Sequence, residues 1–123
     1  MRDERMSKSS LILFFAALLV VCMAGSAMAW NLTGKWRGNN NDIYYIHQNG
    51  NEVWWLGEAG DGTWVNVANG HVTKNRLNLS WGDVPKGHTR GHGRLGIRIK
   101  DANEMILMEQ TGGFGDVHWW RVE

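Results

Sequence analysis

Apolar and polar residues alternate with period two along most of the chain after residue 30, and no apolar stripe recurs at helical spacing. The clearest runs are 75–81, where Leu77, Leu79 and Trp81 alternate with Arg76, Asn78 and Ser80, and 94–100, where Leu95, Ile97 and Ile99 alternate with Arg94, Gly96, Arg98 and Lys100. Each predicts a strand with one wet face. Residues 33–37, 43–48, 52–56, 64–68, 71–73, 105–110 and 118–122 predict further strands, because they concentrate Val, Ile, Trp and Tyr. Between the runs stand Asn49-Gly50, Asp61-Gly62, Asn69-Gly70 and Lys100-Asp101-Ala102-Asn103, residue types suited to tight hairpins. Successive hairpins make an all-β, antiparallel up-and-down meander. Closing it into a small barrel of about eight short strands removes the exposed edges a flat sheet would leave, and a two-sheet sandwich is the alternative.

One stretch breaks the alternation. Residues 81–93 hold the chain's one proline, Pro85, with Gly82, Gly87, Gly91 and Gly93, and predict a shaped loop rather than a strand. Trp81 shares its parity with Leu77 and Leu79 and is expected to point inward, anchoring that loop. Asp83 is expected to accept backbone N–H groups of its own turn. Lys86, His88, Arg90 and His92 are then left at the rim. Gly112-Gly113-Phe114-Gly115 predicts a second tight loop before the last strand.

The first 29 residues have a different character. Lys8 precedes an apolar run from Leu11 to Val21, and small residues follow, ending in Ala27-Met28-Ala29. This predicts a signal peptide over 1–29 cleaved before Trp30, a single domain over 30–123 and a secreted or periplasmic product without stable membrane insertion. Cys22 lies inside the apolar run behind Leu19-Val20-Val21, which is no lipoprotein pattern, and it leaves with the leader. Disulfides are therefore not expected to hold the domain together.

Charge narrows the partners. Of 13 Lys and Arg and 12 Asp and Glu, the leader takes Arg2, Arg5 and Lys8 with Asp3 and Glu4, leaving ten of each sign. No basic stripe argues for nucleic acid. All eight tryptophans fall after the leader.

The opening Leu32-Thr33-Gly34-Lys35-Trp36 resembles the first strand of the avidin branch of the calycin barrels, whose tryptophan plugs one barrel end. The resemblance implies a calycin-like barrel. In that branch an asparagine two places and a serine six places after the tryptophan bind the biotin ureido group, whereas Gly38 and Asp42 stand here, so biotin binding is not implied.

Adjacent strand residues point to opposite faces, so one of Trp54 and Trp55, and one of Trp119 and Trp120, must face outward. An exposed indole would suit a sugar ring, an apolar molecule or a protein. The candidate ligand-binding set is therefore Trp54, Trp55, Trp120, Lys86, His88, Arg90 and Phe114, for a noncovalent module whose ligand is a carbohydrate or a small apolar molecule. A protein-interaction or inhibitor domain is the alternative, and a small hydrolase ranks below both. His88 and His92 are four apart beside Asp83, but Pro85 and the glycines exclude the helix that would align them, so no metal is expected. Catalysis finds little to use. Ser80 is the one serine after the leader, and Glu52, Glu58, Asp61 and Asp83 form no recognisable pair. No enzyme activity and no cofactor are expected.

Overall fold

Residues 43–58 show how the sheet is built. Their two strands pair from Ile43↔Glu58 to Asn49↔Glu52 around a two-residue turn, where Gly50 takes a φ of 62°. The computed structural model describes residues 30–86 and 89–123; the leader with Cys22, and Gly87 and His88 of the rim, lie outside the described residues. Eight antiparallel strands follow in order: β1 (Gly34–Gly38), β2 (Ile43–Asn49), β3 (Glu52–Glu58), β4 (Val65–Thr73), β5 (Arg76–Val84), β6 (His92–Asp101), β7 (Glu104–Gln110) and β8 (His118–Arg121). Each pairs with its neighbours in sequence. β8 returns to β1 through Trp36↔Arg121, Arg37↔Trp120 and Gly38↔Trp119, which closes the barrel, and no helix occurs among the described residues.

Two expectations about the meander require correction. Asn69-Gly70 is not a hairpin turn: 64–68 and 71–73 belong to the single strand β4, and the chain reverses at Lys74-Asn75, where Lys74 takes a φ of 56°. Gly70 serves a close approach instead, since a Cβ there would collide with the Asn78 carbonyl. The 81–93 loop is also shorter than expected. Trp81 to Val84 continue β5, His92 and Gly93 begin β6, and Trp81↔Gly93 and Gly82↔His92 are paired. Glycine is used at Gly91 because the Trp81 ring lies against its backbone, where a Cβ would come within 2.8 Å of the indole.

Because the meander alternates ends, the two-residue turns after β2, β4 and β6 lie together, and the longer connections 39–42, 59–64, 85–91 and 111–117 lie at the opposite mouth. The turn end is corked. Leu32 and Trp36 are fully buried there, and the Trp36 indole N–H donates to the Leu32 carbonyl at 2.9 Å. The Arg121 guanidinium sits 4.7 Å above the Trp36 ring and donates to the carbonyls of Asn31 (2.5 Å), Thr33 (2.7 Å) and Ala102 (3.0 Å). Segment 30–33 is thus strapped across that end. The interior between cork and mouth is apolar and aromatic, filled by Ile46, Val53, Leu77, Leu79, Leu95, Ile97, Ile99, Met105 and Trp119.

Candidate functional site

The mouth is lined by residues from all four long connections and the strand ends beneath them. Tyr44, Trp55, Phe114 and Trp119 form one aromatic cluster at the top of the core, with ring centroids 4.9 to 6.5 Å apart, and Trp81 meets Phe114 edge-on at 5.0 Å. Above them opens a cavity of about 540 Å³. Tyr44, Trp64, Trp81 and Phe114 supply its apolar walls.

Three polar side chains are buried at this end of an otherwise apolar barrel: Asp42, Asn66 and Asp116. Asp116 accepts a 2.5 Å hydrogen bond from the Tyr44 hydroxyl and one of 3.0 Å from the Asn40 N–H. Glycine makes the space, because a Cβ on Gly38 would lie 2.6 Å from the Asp116 carboxyl carbon. Asp42 faces the same carboxyl group and accepts a long contact of 3.4 Å from the Gly60 N–H. Loss of water on burial, then hydrogen bonding and repulsion from Asp116, raise its pKa from 3.8 to about 7. Burial and the Asp116 charge likewise push the Tyr44 phenol up, so it remains a donor. Asp42 therefore keeps its proton through the acid range and releases it only near neutral pH.

Asn66 is oriented from below. Its Oδ1 accepts the Trp55 indole N–H at 3.0 Å, which turns its Nδ2 the other way, and Gly57 leaves room for the amide, a Cβ there falling 2.6 Å from Oδ1. Asn66 is 3% exposed in the cavity wall, and among the described residues the buried side-chain nitrogen without a partner is the Trp119 indole Nε1. At the rim, Asp61 accepts the Thr63 N–H (3.0 Å) and hydroxyl (2.6 Å), which hold its carboxylate below the usual pKa. Asp83 accepts the Gly91 N–H at 2.7 Å while its own N–H donates to the Gly91 carbonyl at 2.8 Å, the brace expected of it.

The structure divides the candidate residues among three places. Trp55 and Phe114 belong to the mouth, buried at 3% and 8% exposure, with Phe114 against the cavity. Trp54 and Trp120 are the outward members of their pairs and lie on separate parts of the wall, on β3 and β8. Trp54 packs near His47, and Trp120 stacks on His118 at 4.0 Å. Lys86 and Arg90 are exposed in the β5–β6 connection, where Lys86 reaches Glu58 at 3.6 Å; neither lines the cavity. His88 lies outside the described residues. Of the carboxylates weighed for catalysis, Asp61 and Asp83 reach the mouth and Glu52 and Glu58 do not. Asp42, Asn66 and Asp116 escaped the sequence reading as a group. Their one legible signal is parity: Asn66 shares its strand face with Ala68 and Val72, a polar residue on a buried side.

Comparison of the chain with protein-family models, with curated proteins and with solved structures returned no match.

Proposed function

We propose that this chain is an exported binding module, calycin-like in build, that takes one small molecule noncovalently into its open mouth. The observation that carries this reading is the aromatic cavity at the mouth, into whose wall Asp42, Asn66 and Asp116 set the buried polar side chains of an otherwise apolar interior, with Asn66 held by the Trp55 indole N–H. The cavity size suits the reading, since small-molecule pockets run from roughly 300 to 1,000 Å³ and combine apolar walls with a few placed polar groups.

Thermal shift against a metabolite library tests the proposal. A ligand at about a hundred times its Kd adds about 2.7 kcal/mol, which for a domain of this size raises Tm by roughly 10 to 20 °C. Asn66→Leu should abolish the shift and Trp54→Ser should leave it. The reverse pattern would refute a mouth site and favour a second reading, a protein-binding face. That reading has its own support: Tyr45, Trp54, Leu56 and Val67 are exposed side by side across β2, β3 and β4. Intact-mass analysis of the exported product checks the leader, with Trp30 expected as its first residue.

A further inference from the structure

The outer wall carries a groove separate from the mouth. Cross-strand pairing sets Trp54 of β3, Asn69 of β4, Ser80 of β5 and Arg94 of β6 in one outward row that runs across the strands. Three strand spacings separate its ends, roughly 14 Å. Two depressions of about 570 and 660 Å³ lie along this row and meet at Asn69 and Ser80. Their floor is low because β5 turns only Ser80 and Gly82 outward there, and a Cβ on Gly82 would meet nothing closer than His92 Cβ at 3.9 Å.

The two ends of the groove differ in chemistry. At one, Trp54 is 40% exposed beside Leu56 and Val67, an apolar platform. At the other, Arg94, Glu109 and His71 face the groove. Glu109 is bonded to Arg76, the pair closing over Gly96, whereas Arg94 makes no ion pair among the described residues. The groove thus holds one unanswered guanidinium. Between the ends the amides are already oriented. Asn69 donates to the Val53 carbonyl at 3.0 Å and to Glu52 Oε1 at 3.3 Å, which leaves its Oδ1 as an acceptor. Asn78 accepts Arg76 Nε at 2.9 Å, which leaves its Nδ2 as a donor.

We infer that this groove is a second binding site, for an extended glycan that carries carboxylates. A pyranose ring has an apolar C–H face that packs on an indole, and hydroxyls around its rim that need donors and acceptors beside them. Trp54 takes the face, and Asn69, Asn78 and Ser80 take the rim. Charge selects among glycans, because the Arg94 fork matches a carboxylate with two parallel N–H···O bonds. An apolar protein face would cover Trp54, Leu56 and Val67 but bring nothing for Arg94. The groove does not depend on the mouth, so either site can fail without the other.

Cellouronate and mannuronate tetramers are the probes, with cellotetraose and mannotetraose as their neutral counterparts, from which they differ at C6 alone. The Trp54 indole N–H resonance reports the groove and that of Trp64 the mouth. At least one uronate should shift the Trp54 resonance saturably, bind about tenfold or more tightly than its neutral counterpart, and weaken as NaCl rises from about 20 to about 500 mM. By calorimetry, Arg94→Ser should reduce that uronate to the affinity of the neutral sugar. Trp54→Ser and Ser80→Ile, both on the wet face, should abolish binding of either sugar while keeping the parent's Tm within a few degrees. No saturable shift at Trp54 with either uronate, a neutral counterpart that binds as tightly, or an Arg94→Ser protein that binds the uronate as the parent does would each overturn the inference. A uronate that moves Trp64 and leaves Trp54 would put the glycan in the mouth and overturn it too. A dimer of the parent that Trp54→Ser dissolves would give this face to a second copy of the chain instead.

Discussion

Asp42 should make the fold less stable as the solution becomes more alkaline, which is the reverse of the usual behaviour of a carboxylate. Its pKa lies at about 7 in the folded protein against 3.8 for the free side chain, so the folded state binds the proton more tightly. The stabilisation is complete below about pH 3.8 and is lost as pH rises through 7. Three pKa units at 1.36 kcal/mol each set an upper bound of about 4 kcal/mol; water entry and relaxation at the open mouth reduce this to about 2. For a domain of this size that is a fall in Tm of roughly 10 °C or somewhat more between about pH 5 and about pH 8. Asp42→Asn should flatten the profile. The amide can still donate to Asp116 as the protonated Asp42 carboxyl does, and it brings no second charge to the pair, so the variant should be more stable than the parent at the alkaline end. Melting curves of both proteins across this range decide it. A parent whose stability rises with pH, or an Asp42→Asn protein that keeps the parent's fall, would refute a protonated Asp42 in the folded state.

Trp81→Ala should cost about 3 to 5 kcal/mol in urea unfolding, because it removes a buried indole packed edge-on against Phe114 and leaves the Thr111 carbonyl without its 3.0 Å donor. A loss under about 1 kcal/mol would show that the ring is not an anchor. Arg121→Met keeps a stem over Trp36 but removes the donors to three carbonyls. It should cost about 2 kcal/mol, with Arg121→Lys restoring only part, since an ammonium lacks the guanidinium fork that spans Asn31 and Thr33; full restoration by lysine would contradict the role given to that fork.

The barrel was readable because its inward residues recur at every second position through runs such as Leu77, Leu79, Trp81 and Leu95, Ile97, Ile99, and a closed wall needs nothing more. The same parity separated Trp54 from Trp55 and Trp119 from Trp120. In β4 hydropathy alone does not give the face, since Val67 is 44% exposed while Asn66 faces inward. Turn chemistry failed there for a related reason. Asn69-Gly70 has the composition of a hairpin, but its glycine answers to the neighbouring strand's backbone, and the reversal falls to Lys74, a residue that rarely adopts positive φ. The mouth was the least legible part. Asp42, Asn66 and Asp116 are separated by 24 and 50 residues along the chain and meet only because the meander returns every second connection to the same end. No local pattern marks Asp42 or Asp116, and Asn66 is marked only by its strand face.

The strap at the corked end also bears on how the protein reaches its fold. Seven of the eight strand pairings join neighbours in sequence and require only short hairpin loops to close. The eighth, with the Arg121 bonds to Asn31 and Thr33, joins positions 81 to 90 residues apart. Loop-closure entropy places that contact late, after the meander has curled far enough to bring β8 beside β1. Until then the inward faces of all eight strands are open to water and both terminal strands present unpaired edges. A chain interrupted before β8 is consequently a curved open sheet and not a smaller barrel, so the last short strand decides whether the other seven enclose a core at all.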